Sequence, residues 1–101
     1  MPRMQYLTQS LSKEAADHRW VLPLTQDECS SIGNLFGGTG LAAAIRVLEF
    51  ESQRPLVWIT GQFVSHAKAG EKLAFEVDLT AVGHKSTQAR VTGRVDDREI
   101  I

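Results

Sequence analysis

Asn34-Leu35-Phe36-Gly37-Gly38-Thr39-Gly40 is the stretch that decides how this chain is read, because it runs directly into the apolar segment 41–50. Three glycines in four positions, followed at once by good helix formers, put a bare backbone at the start of a helix. The first N–H groups of a helix have no partner within it and lie at the positive end of its macrodipole. An entry this bare can therefore hold a carbonyl oxygen, a carboxylate or a phosphate. The same glycines serve equally in a tight turn or a close packing contact, so the pattern alone leaves both readings open.

Working outward, the helix is predicted from about residue 40 to 51, with Leu41, Ile45 and Leu48 at i, i+4 and i+7. Ala42, Ala43 and Ala44 keep it thin, which lets a backbone approach a sheet or another subunit. After Pro55 the period changes to two. Residues 57–64 then read as a strand covered on both faces, with Val57, Ile59, Gly61 and Phe63 opposite Trp58, Thr60, Gln62 and Val64. A turn around Gly70 leads to residues 72–82, where Leu73, Phe75, Val77 and Leu79 alternate with Glu76, Asp78 and Thr80. Gly83-His84-Lys85 forms the next turn and residues 86–95 alternate again, a second hairpin arm. Asp96-Asp97 turns into residues 98–101, the opening of a further strand. Upstream, residues 19–25 read as a short strand with Pro23 at an edge, 26–33 as a polar loop, and 1–18 as a weakly helical or irregular lead-in. One helix followed by a run of antiparallel strands is an α+β layer pattern, without the alternation that βαβ units need.

The chain of 101 residues is read as a single domain. Its 11 basic and 12 acidic residues are scattered rather than striped, which argues against nucleic acid as a partner. The apolar run 41–48 is broken by Arg46 and is too short to span a bilayer, so no membrane association is expected. Residues 1–17 lack the apolar core of a signal peptide, and the reading is a cytoplasmic protein. Cys29 has no second cysteine to pair with. His18 and His84 show no ligand spacing, so no metal is expected.

The order of these features resembles the hotdog-fold acyl-CoA thioesterases, and in particular the N-terminal half of the double-hotdog, acyl-CoA thioesterase II-like type. The resemblance rests on the Phe36-Gly37-Gly38 helix entry, the Phe63 to Gly70 strand-to-turn element, and the Gly83 to Ser86 turn with Arg90 shortly after it. It covers roughly residues 20–101. It implies a hotdog fold, an antiparallel sheet wrapped around one central helix, over residues 19–101, with the last strand or strands of the domain lacking. It implies hydrolysis of fatty acyl-CoA to free acid and CoA within lipid metabolism, without a cofactor, in a homodimer or higher oligomer. In such a site the amides of Gly37 and Gly38 would polarise the thioester carbonyl, which matches the chemistry of a bare helix entry. Asn34, Phe36, Thr39 and Gln62 would contact substrate.

Each candidate has a plainer reading. Asn34 and Thr39 are also good turn formers and helix caps, and Gln62 could make a cross-strand contact. His66, near a turn, has the chemistry of a general base and also the character of an ordinary loop histidine. Lys68, Lys72 and Lys85 could meet CoA phosphates or be solvated turn residues. The sequence departs from many active single-hotdog enzymes in carrying Ile45, Arg46 and Val47 where an acid is common. The next acid, Glu49, stands at i+3 from Arg46 as an ion-pair partner. The catalytic Asp, Thr and Gln of the double-hotdog type lie mainly in a half this chain does not contain. A non-catalytic acyl-CoA-binding or dimerisation module is therefore the alternative. Hydration or dehydration of an enoyl thioester ranks third, because residues 34–36 supply neither Asp nor His.

Overall fold

The computed structural model describes residues 11–14, 18–35 and 37–101. Most of the predicted lead-in, and Phe36, lie outside the described residues. Five strands, β1 (Ser12–Lys13), β2 (Arg19–Pro23), β3 (Lys72–Val82), β4 (Thr87–Val95) and β5 (Arg98–Glu99), form one sheet in the order β1-β2-β3-β4-β5, antiparallel throughout. Among the described residues one α-helix, α1 (Gly37–Ser52), lies in the chain between β2 and β3 and packs on β3 and β4. This is the α+β pattern that the residues implied, in the hotdog form that the resemblance implied.

The core follows from alternation in β3, where Leu73, Phe75 and Val77 are buried while Lys72, Ala74, Glu76 and Asp78 are exposed. Leu22 and Leu24 from the β2 side, Val95 from β4 and Ile100 after β5 complete the sheet's apolar face. The face of α1 turned to the sheet is not the expected stripe. Gly40, Ala43, Ala44 and Val47 are buried, whereas Leu41, Ile45 and Leu48 are half-buried. Small residues let the helix axis lie closer to the sheet, and interior packing favours that approach over burying larger side chains on a more distant helix. The helix also begins three residues earlier than predicted, at Gly37.

Residues 57–64 do not form the predicted strand. The segment 55–64 carries no ladder, and Val57 (95% exposed) and Trp58 (76%) project from the surface. A strand needs backbone partners as well as a two-residue period, and the described backbone beside this segment supplies one, Val64 N–H donating to Ile100 O at 2.9 Å.

The predicted turns hold. Gly83 N–H donates to Ser86 O at 2.8 Å, and a β-carbon on Gly83 would lie 2.8 Å from that same oxygen, so only glycine fits there. Gly70 stands at φ +92°, and its N–H donates to Leu24 O at 2.8 Å. A register shift between Asp78 and Ala81 puts a bulge into β3 just before the turn.

Candidate functional site

The start of α1 is held in place by the chain on both sides of it. Leu35 N–H donates to Ala67 O at 2.8 Å, Ala69 N–H donates to Gly33 O at 2.9 Å, and isolated bridges join Asn34 to Lys68 and Cys29 to Leu35. These bonds pin the approach to the helix against residues 67–69. Gly37 and Gly38 then open the helix, both exposed, with no acidic side chain in its first turn. Neither glycine is required by a positive φ; what each keeps clear is space. A β-carbon on Gly38 would meet nothing within 4 Å, and one on Gly37 would touch the Phe63 ring at 3.4 Å.

Beside this entry lies a cavity of about 210 Å³. It is lined by Leu35, Gly37 and Gly40 on the helix side, by residues 63–67, and by Ile100 and Ile101. His66 is the one titratable side chain in that lining. Its carbonyl accepts from the Arg98 guanidinium, which also meets Glu71 at 3.0 Å. Ser65 hydroxyl donates to Glu99 O at 2.6 Å. The cavity is thus largely apolar, with the exposed Gly37 at one end.

Among the other residues expected at the site, Asn34 is half-buried in its bridge, with its carbonyl accepting from Ser30 N–H at 2.7 Å. Thr39 is buried at 6% exposure, so it faces the interior rather than an open site. Gln62 is exposed on the segment that lacks a ladder. Glu49 is engaged: one carboxylate oxygen accepts Leu56 N–H at 2.9 Å and the other meets Arg46 at 3.4 Å. It stands 11 residues along α1 from Gly38, about 16 Å at the helical rise, too far to act on a carbonyl held at the helix start.

A larger cleft of about 720 Å³ opens at the other end of the helix, between Leu48 to Ser52, residues 54–60, and the chain from Lys85 to Arg90. That volume falls within the rough 300–1,000 Å³ of small-molecule sites. Arg54 closes one end by donating to the carbonyls of Gly83 and His84, at 2.9 and 3.3 Å. Lys85 and Arg90 line the cleft, whereas Lys68 and Lys72 lie elsewhere. Sequence reasoning missed this cleft, since it is made by three stretches distant in the chain. The one signal was the basic content of the 83–90 turn.

The buried Cys29 thiol is pushed up by burial and by the neighbouring Glu28 carboxylate, which makes it a poor nucleophile. Among the described residues no cluster of three or more metal-ligating side chains occurs, and no helix is long and apolar enough to cross a membrane.

Comparison of the sequence with curated proteins gives no significant match. Among solved structures, a protein of Novosphingobium aromaticivorans assigned as a thioesterase shares 29% identity at a TM-score of 0.76. The match covers 90% of this chain and 37% of that one, so the chain spans little more than a third of its relative's length. Thioesterase superfamily member 2 of Mus musculus shares the fold at 16% identity and a TM-score of 0.78, over 99% of this chain and 82% of the other. A hypothetical thioesterase of Streptococcus pneumoniae, solved with coenzyme A, shares it at 14% identity and 0.71, over 99% and 88%. A family model, the acyl-CoA thioesterase N-terminal domain, matches residues 25–101. With three quarters of its length matched and the fold in agreement, this chain belongs to the acyl-CoA thioesterase N-terminal domain family.

Proposed function

We propose that the chain is a thioester hydrolase domain that cleaves fatty acyl-CoA to the free acid and CoA. The observation that supports this most is the start of α1: two exposed glycines, Gly37 lining an apolar cavity and Gly38 with no described atom within 4 Å of where a β-carbon would stand. A water oxygen attacks the thioester carbon, the carbonyl oxygen gains negative charge, and the collapse of that intermediate breaks the C–S bond and releases the CoA thiol. Donors aimed at the developing oxyanion from a fixed backbone need no reorganisation. Each such donor is typically worth about 10²–10³ in rate. The apolar lining from Leu35, Phe63 and Ile101 suits the first methylenes of an acyl chain. Asn34 and Gln62 flank this region as polar contacts, and Phe36 belongs to the same reading by its place in the sequence.

The proposal includes a homodimer or higher assembly acting in the cytoplasm. It is supported by the apolar strip on residues 56–64, where Val57, Trp58, Phe63 and Val64 are all more than half exposed. The second reading, a non-catalytic acyl-CoA-binding or dimerisation module, is favoured because no Asp or Glu side chain stands among the described residues lining the smaller cavity and because Glu49 is engaged elsewhere.

Release of free thiol from acyl-CoA esters of graded chain length, measured beside a binding titration, separates the two. Turnover that falls in Gly38→Val supports hydrolysis with the carbonyl at the helix start. Binding without turnover establishes the module reading. Absence of both binding and turnover removes the acyl-CoA assignment.

A further inference from the structure

Far from the helix start, Glu51 carries a nearly buried carboxylate, 7% exposed, in the last turn of α1. The negative end of the macrodipole disfavours an anion there, and no basic residue of α1 stands in that turn to offset it. Its partners come from the sheet edge instead. Trp20 Nε1–H donates to one carboxylate oxygen at 2.7 Å, and His18 Nδ1 lies 3.0 Å from the other. The Trp20 indole is itself fixed by stacking on Phe50, with centroids 5.1 Å apart and planes 13° from parallel. His18 takes a left-handed backbone conformation, φ 63°, that a non-glycine residue adopts only when its surroundings hold it.

Among the described residues, the chain beside these contacts is joined to the sheet by a short ladder. β1 is two residues long, and its ladder to β2 is the pair of registers Ser12 with Val21 and Lys13 with Trp20. Leu11, the residue before it, is nonetheless buried in the core at 7% exposure. The His18 ring is half-exposed, and histidine as a residue type changes charge between about pH 5 and 8. The other charged side chains on the elements meeting here are Lys13 and Glu14 beside β1, the Arg19–Glu76 pair across β2 and β3, and Arg46, which lies over the Phe50 ring.

We propose that His18 and Glu51 form a pH-gated latch that fastens the β1–β2 edge of the sheet to the C-terminal end of α1. With His18 protonated the contact is an ion pair to a sheltered carboxylate; with His18 neutral only a hydrogen bond remains, and the edge opens more often. Opening bares Leu11 and Trp20, both packed in or against the core.

Amide exchange tests the latch at two reporters, Glu14 N–H, which donates to Arg19 O, and Val77 N–H, which donates to His18 O. Wild type and His18→Gln are compared at the same pH, so that intrinsic exchange cancels. At about pH 5.5 the variant exchanges about two- to fivefold faster, the range for a partly exposed ion pair, and at about pH 8 that ratio falls towards one. Glu51→Gln, which keeps a hydrogen-bond acceptor for Trp20, loses the pH dependence. A ratio that is the same at both pH values, or a Glu51→Gln protein that retains the wild-type pH dependence, overturns the latch.

Discussion

The ring of Phe63 lies against the backbone of Gly37, so close that a β-carbon on that glycine would sit 3.4 Å from two ring atoms. One residue on, a β-carbon on Gly38 would meet no described atom within 4 Å. The two exposed glycines of the helix entry therefore differ in having a ring beside the first and none beside the second, and substitutions at the two positions report different things.

At Gly38, alanine restores ordinary helix propensity without a clash and is expected to stabilise the fold by about 0.5–1 kcal/mol. Valine at the same place shades the amides and is expected to lower thioester hydrolysis by at least about tenfold with the fold retained. Melting temperature and thiol release, measured together, check both. A valine variant with full turnover would separate the glycine amides from the chemistry.

Gly93 is the opposite case. A β-carbon there would lie 2.8 Å from an Ile101 methyl and 3.3 Å from both Leu73 and Phe75. Overpacking a sealed core typically costs about 1–3 kcal/mol. In a domain of this size each kcal/mol lowers the midpoint by roughly 4–8 °C. Thermal unfolding of Gly93→Ala is expected to show a fall in that range.

Glu49 is tied to its own chain. Its bond to Leu56 N–H ties the start of the 55–64 segment to the helix. Glu49→Gln, which keeps an acceptor, is expected to leave any turnover within about twofold, far short of the 10²–10⁴ that loss of a general base costs. Glu49→Ala loosens the Leu56 amide, by about 1 kcal/mol in exchange protection. A collapse of turnover in the glutamine variant would restore Glu49 as a base.

Acid stability bears on Glu51. Burial pushes its carboxyl up, but the hydrogen bonds from Trp20 and His18 and the charges of Lys13 and His18 outweigh it, and the net direction is down. A folded-state value below the unfolded one means stability that is present above the unfolded pKa, near 4.3 for glutamate, and is lost as pH falls through the folded value. Melting curves from about pH 5 downward are expected to fall less steeply for Glu51→Gln than for wild type. Parallel curves would show that this carboxylate does not contribute to acid unfolding.

Val57 and Trp58 stand almost free of their own chain. Substituting Val57→Lys together with Trp58→Glu is expected to leave the fold intact and shift the protein to a monomer in sedimentation. A parent protein that is already monomeric would remove the pairing part of the functional proposal.

Much of this molecule was legible from local pattern. The alternation of Leu73, Phe75 and Val77, the turns at Gly70 and Gly83, and the glycine-rich helix entry are each set by residues within a few positions of one another, and they appear where the sequence puts them. What local pattern could not decide was partnership. Residues 57–64 have the composition of a strand, yet a strand exists only where another backbone offers hydrogen bonds, and among the described residues only Ile100 does so here. The helix has two apolar stripes, and the smaller one, from Gly40 to Val47, won because close approach to β3 and β4 buries more of the core than its larger neighbours would. His18, Trp20 and Glu51 meet, and the cleft beneath Arg54 forms, because the fold returns distant segments to the two ends of one helix. Period and turn chemistry are short-range forces and can be read in one dimension; burial and pairing are settled only when the chain closes on itself.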